Sequence, residues 1–283
     1  MPRKSLTNVL ILCVATTLSA CASNPDTGSE SIPEIRPGIL QGYLAGSEYP
    51  NSLALLPPPP AQDSIAHSHD GTISERSLTL QGSARWLLAA QDNELMFPAA
   101  ADTFSCALGA PVTEAETPSL YRLLRRVLPD AGLSTYTAKN HYRRPRPFMV
   151  NGQQTCLSEQ GQQQLEEDGS YPSGHSAIGW AWALILAELA PERADAILAR
   201  GRAFGQSRVV CNVHWQSDVQ EGQFMGAAAV ARLHASDLFQ ADMAAAAAEL
   251  SAVRARSLPP ARDCAAETEA LVQLPVDAVW PMK

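Results

Sequence analysis

Residues 176–190 leave little choice of fold. From Ser176 to Ala190 the chain is apolar on nearly every side, through Ile178, Trp180, Trp182, Leu184, Ile185, Leu186 and Leu189. A helix of that kind has no face to give to water and must be surrounded by other elements. The flanking sequence supplies helices for the purpose. Helical spacing is present over Ile73–Asn93, over Thr117–Leu128 (stopped by Pro129) and over Ser134–His141, which ends before Pro145 and Pro147. Further helices are expected from Pro191-Glu192 through Phe204, over Ser217–Leu238 and over Ala241–Arg256. Trp180 and Trp182 read as core. No period-two alternation runs beyond four residues, and residues 39–60 read as extended, ending in the polyproline-like Pro57–Pro60. With 46% hydrophobic residues there is material for one core, and the expectation is a single all-α helical bundle over residues 39–258. Residues 259–283 read as a tail with little pattern that wraps the surface.

The first twenty residues stand apart. Arg3 and Lys4 precede a mostly apolar stretch from Asn8 to Leu18, closed by small residues. That is a signal peptide over residues 1–20, too short for a membrane span. Leu18-Ser19-Ala20-Cys21 also resembles the bacterial lipobox, which implies lipidation of Cys21 and a membrane anchor. Acyl chains hold at about 0.8 kcal/mol per buried CH₂. Residues 21–38, rich in Ser, Pro and Gly, then read as a flexible tether, and the expected location is the periplasm, tethered to the outer membrane. Removing residues 1–20 takes away Arg3 and Lys4 and no acid, so the formal charge moves from −8 to −10. So acidic a chain argues against nucleic acid as a partner.

An exported chain meets an oxidising compartment, so Cys106, Cys156, Cys211 and Cys264 read as disulfide material with three possible pairings. No Cys-x-x-Cys pair or zinc-type Cys/His spacing occurs. His67-Ser68-His69-Asp70 reads as a solvated loop rather than a metal site, and no metal or cofactor is expected.

Three clusters carry the chemistry: Lys139 with Arg146-Pro147, then Pro172-Ser173-Gly174-His175, then Ser207-Arg208 with His214 and Asp218. Pro-Ser-Gly-His at a helix start offers free N–H groups and the positive end of the helix dipole, although Ser173 could serve only as a cap. His214 and Asp218 are four apart, so on a helix the carboxylate could hold one ring nitrogen. Arg144 reads as part of a basic turn. Taken together, Lys139, Arg146 and Arg208 are three cations suited to a phosphoryl group, and two histidines supply a nucleophile and a proton donor. No Walker loop, carboxylate metal cluster or Gly-x-Ser-x-Gly elbow competes with this reading.

These spaced motifs resemble the three-part signature of the type 2 phosphatidic acid phosphatase / vanadium haloperoxidase superfamily. The likeness extends through Asn51–Pro60, Asp168–His175 and Gly205–Asp218 to the bacterial class A non-specific acid phosphatases, over roughly residues 43–250. The resemblance implies an all-α phosphatase domain and a metal-independent acid phosphatase acting on small phosphate monoesters, nucleotides included. It places His214 as the nucleophile that forms a phosphohistidine, Asp218 as its orienting carboxylate and His175 as the acid. It assigns Lys139, Arg146, Arg208, Ser173 and the Gly174 amide to phosphate. It also implies a Cys156–Cys211 disulfide, which by elimination leaves Cys106–Cys264, and a homodimer. Where relatives have a Ser/Gly-rich loop over the site, this chain has the bulkier Asn93–Pro98. The alternatives are a vanadium-dependent haloperoxidase on the same pocket, or a non-catalytic anion-binding lipoprotein, for which both histidines would be superfluous.

Overall fold

The computed structural model describes residues 32–272, together with Met1. Apart from Met1, the predicted signal peptide lies outside the described residues, as do Cys21, the tether up to residue 31 and residues 273–283. The end of the predicted tether is ordered structure. Strands β1 (Glu34–Arg36) and β2 (Ile39–Leu40) pair antiparallel around Gly38, whose φ of +79° suits a residue without a side chain. Arg125 fixes the turn by donating to the Gly38 carbonyl at 3.4 Å.

All other regular elements among the described residues are helical. They include Gly46–Glu48 and Ser52–Leu55 within the stretch read as extended, the second capped by Asn51, whose Oδ1 accepts from Leu53 N–H at 3.1 Å. After α1 (Ser52–Leu55), one predicted helix over residues 73–93 is two, α2 (Ile65–Leu78) and α3 (Ala84–Gln91). Gly82, at φ +76°, breaks it, and Ser83 caps α3 by accepting from Trp86 N–H at 3.3 Å. A 3₁₀ turn (Ala99–Phe104) leads into α4 (Ser105–Leu108). Helix α5 (Pro118–Leu133) runs through Pro129 instead of stopping there. An internal proline costs about 3 kcal/mol, and the burial of Leu128 before it and Ala131 after it offsets that cost. Next come α6 (Tyr136–Tyr142), α7 (Pro147–Asn151) and α8 (Glu159–Glu166). The last two have no apolar periodicity long enough to show in the sequence.

The apolar stretch is α9 (Gly174–Leu189), and it is the hub, packed against α5, α10 (Ala194–Val210) and α11 (Gln216–Leu233). Trp182, Ile185 and Leu186 are fully buried in the main core, which α12 (Asp237–Ala255) closes against α5. On α11, Gly222 and Gly226 lie against the carbonyls of Ser173 and Ala177, where a Cβ would collide. That close approach sets the start of α11 beside the start of α9.

The chain after Pro259 is not patternless. It forms α13 (Cys264–Val272), held by a Cys106–Cys264 disulfide and by buried Glu267, which pairs with Arg200 at 3.3 Å and Arg262 at 3.2 Å. Covalent and ionic ties, rather than apolar spacing, dock this helix. A second disulfide joins Cys156 to Cys211. Among the described residues, no helix is long and apolar enough to cross a membrane.

Candidate active site

The three motifs meet at the start of α9. Ser173 is its N-cap and accepts from Ser176 N–H at 3.2 Å, while its own N–H donates to the Asp218 carbonyl at 2.9 Å. Gly174 and His175 open the helix, so their N–H groups have no acceptor within it and the positive end of its dipole lies here. Both readings of Ser173 therefore hold in part: its lone pairs serve the cap and Ser176 Oγ, at 3.0 Å, and its proton is left to donate.

His214 lies one residue ahead of the α11 N-cap, Trp215, so it does not share a helical face with Asp218. Instead Asp218, in the first turn of α11, reaches back. Its Oδ2 accepts from Trp215 N–H at 2.9 Å, lies 3.3 Å from His214 Nδ1 and accepts from Ser170 Oγ. On the other edge of the ring, Arg146 Nη1 is 3.0 Å from His214 Nε2. A guanidinium can only donate, so Nε2 carries the lone pair and Nδ1 the proton that faces the carboxylate.

His175 is held differently. Its Nε2 is 3.0 Å from the Asn93 carbonyl, which can only accept, so Nε2 carries a proton and Nδ1 is the nitrogen left for chemistry. Asn93 also binds Arg208, its Oδ1 accepting from Nη1 at 2.8 Å. The Nε and Nη2 groups of Arg208 are buried without a hydrogen-bond partner among the described residues. Two orphaned guanidinium donors beside two histidines suit an oxyanion. Lys139 Nζ donates to the Gly169 carbonyl at 2.5 Å and lies 3.2 Å from Asp168 Oδ2. Arg146 donates to the same carboxylate at 3.0 Å, and to the carbonyls of Val213 and Leu165 at 2.9 Å. Lys139, Arg146, Gly174, His175 and His214 line one cleft of about 580 Å³.

The electrostatics follow from packing positive charge in a dry place. Burial, then Arg146, brings the Lys139 ammonium down to about 8, and the same two causes bring Arg208 down to about 9. Burial pushes His214 well below the usual histidine range, helped by Arg146, Lys139 and Arg208. Burial and Arg208 do the same to His175. Both rings are neutral in the unliganded site.

Several participants were not foreseen. Asp70 is not in a solvated loop. It lies on α2, fully buried, and its carboxylate accepts from Arg144 Nη2 at 2.8 Å, Ser217 Oγ at 2.5 Å and Ser217 N–H at 2.9 Å. Arg144, read as part of a basic turn, is buried, and its Nη1 donates to Asp218 Oδ1 at 2.6 Å. Asp70, Arg144, Asp218 and His214 thus form one line of contacts. Asp168 and Ser170 lie within the Asp168–His175 stretch that carries the resemblance, whereas Asp70, in the His67–Asp70 stretch, and Asn93, at the start of Asn93–Pro98, have no sequence signal for these partners. His141 is exposed and outside the cleft. Among the described residues no three His, Cys, Asp or Glu side chains are grouped to hold a metal ion.

Comparison with known proteins places this arrangement. The profile of the PAP2 superfamily matches residues 127–239. The chain is 46% identical over 199 residues to the non-specific acid phosphatase of Providencia stuartii, covering 70% of this chain and 80% of that protein. The chain belongs to the bacterial class A acid phosphatases of the PAP2 superfamily. The non-specific acid phosphatase of Salmonella typhimurium is 39% identical over 213 residues, 75% of this chain and 85% of that one. A solved bacterial vanadium-dependent iodoperoxidase aligns with a TM-score of 0.47 at 16% identity, covering 64% of this chain and 52% of its own. The relatives and the superfamily match make the protein an acid phosphatase with an all-α fold.

Proposed function

We propose that this acid phosphatase hydrolyses a broad range of phosphate monoesters without a metal, through a phosphohistidine on His214. The observation that carries the reading is the His214 tautomer, with Nδ1–H towards Asp218 and the Nε2 lone pair turned to the cationic side of the cleft. A substrate phosphate takes the donors of Lys139, Arg146 and Arg208, the Gly174 N–H and the Ser173 hydroxyl. Arg146 Nη1 turns from His214 to a phosphate oxygen, which frees Nε2. Nε2 then forms a bond to phosphorus as the P–O bond to the leaving group breaks, and His175 gives the leaving oxygen its proton. In the second half, His175 takes a proton from water, the water oxygen bonds to phosphorus and the N–P bond breaks. Asp218 stabilises the positive ring throughout.

This reading accounts for an acid optimum. His175 is held neutral by burial and by Arg208, so its proton must come with acid pH or with the negative charge of the substrate. The phosphate dianion offsets the cations that depress the ring. Export and tethering through a lipidated Cys21 belong to the same reading, and the two disulfides suit an oxidising compartment.

The test is rapid quench in denaturing base with ³²P-labelled substrate, followed by alkaline digestion, since a phosphohistidine survives base but not acid. Label on histidine in the wild type, absent from His214→Ala, supports the reading, as do undiminished turnover in EDTA and inhibition by micromolar vanadate. Loss of turnover in EDTA with recovery on adding a divalent cation excludes the metal-free mechanism.

A further inference from the structure

The phosphate end of the cleft is a built cationic site, whereas its mouth is apolar. Leu95 and Met96 form one wall, only two and three residues after Asn93, whose carbonyl holds His175. Pro37 and Ile39 of the hairpin, and Tyr136, line the same cleft. Met96 and Tyr136 are 39% and 38% exposed, so large apolar surface faces solvent at the entrance. Gly38 is part of the construction. A Cβ there would come within 2.5 Å of Met96 Cε, so the missing side chain lets the methionine tip lie against the hairpin turn.

A leaving group must depart on the side opposite the attacking His214 and next to the acid, His175. Leu95 and Met96, which line the same cleft and follow Asn93, the residue that holds His175, are the side chains it would meet there. We infer that the cleft mouth is a leaving-group subsite for flat, apolar alcohols, so that esters of aromatic and benzylic alcohols are bound in preference to esters of polyols. A ring placed there removes its own apolar surface and that of Met96, Leu95 and Ile39 from water. A polyol placed against Leu95, Met96, Pro37 and Ile39 would lose hydrogen bonds to water that these side chains do not replace. Arg36 and Gln164, which also line the cleft, leave room for one polar substituent.

The inference rests on the phosphatase reading, and binding of inert phosphonates separates the two. The inhibition constants of benzylphosphonate and methylphosphonate are measured against hydrolysis of p-nitrophenyl phosphate. Methylphosphonate reaches only the cationic end and reports its integrity. Benzylphosphonate is expected to bind at least about tenfold more tightly. In Met96→Ser and in Ile39→Ser the ratio of the two constants falls towards unity, while Met96→Leu retains it. Equal constants in the wild-type enzyme, or a ratio that survives the Met96→Ser/Ile39→Ser double change, overturn the subsite and leave the phosphatase reading standing. Absence of inhibition by both phosphonates, with no phosphohistidine formed, overturns both.

Discussion

The two histidines sit in one cleft but are held in opposite ways. His214 is clamped from both edges: Asp218 and Ser170 on the Nδ1 side, Arg146 on the Nε2 side, with Arg144 and Asp70 behind Asp218. Among the described residues, the His175 ring has one hydrogen-bond partner, a backbone carbonyl, and its neighbour Arg208 keeps two donors without partners. In the proposed mechanism the nucleophile's half is aimed before substrate arrives, with only Arg146 left to turn from Nε2, while the acid's half is completed by substrate. The difference fits the tasks. An attacking ring must be aimed and its tautomer fixed in advance. A proton donor must gain its proton, which here requires an incoming negative charge.

Removing the clamped ring should have the largest effect. His214→Ala is expected to lower kcat by about 10⁴-fold or more, since no other nucleophile occupies its place. Steady-state kinetics on p-nitrophenyl phosphate measure this, and a variant retaining several per cent of turnover breaks the assignment. His175→Ala should cost about 10²–10⁴-fold on an alkyl ester but far less on p-nitrophenyl phosphate, whose phenolate departs without a proton. Equal losses on both substrates would place His175 outside proton transfer.

The outer part of the clamp gives the next effect. Asp70→Asn keeps the shape but removes the charge that faces Arg144, and kcat should fall roughly tenfold with KM little changed. Asp70→Ala should in addition lower Tm, because Arg144 is left buried beside a cavity. If Asp70→Asn changes Tm alone, the chain of contacts ends before His214.

The smallest effect is on stability. Both histidines are depressed in the folded enzyme. Below about pH 6.5 the unfolded chain therefore takes up protons that the folded chain refuses, and folding stability falls as pH falls. Each ring contributes up to about 1.4 kcal/mol per pH unit. Asp130 works in the opposite sense: burial raises it to about 6, so it stabilises the fold at low pH and loses that contribution as pH rises through 6. Melting curves between pH 7 and 5 should show a steeper fall without orthophosphate than with it, and His175→Asn should reduce the difference. A slope indifferent to both phosphate and His175 would mean that the acid half is not completed by its ligand.

Much of the protein was legible in order along the chain. The apolar stretch at residues 176–190 demanded a central helix, and the motif residues Lys139, Arg146, His175, Arg208, His214 and Asp218 come together around its first turn. These are local signals: periodicity, a helix start, a carboxylate close in sequence to its histidine. Other features depended on segments far apart in sequence. Asp70 meets Arg144 and Ser217, Asn93 meets His175 and Arg208, and Glu267 meets Arg200. A buried charge must find a partner, but which partner depends on how the helices pack, and spacing along the chain does not record that. The same holds for Pro129 inside α5 and for the α13 helix, where burial and covalent ties outweigh local preference. The sequence by itself thus determined the helical class and singled out the candidate groups. Only the tertiary structure decided which ring is clamped, which is open and what lines the cleft beside them, because long-range packing and desolvation set those energies.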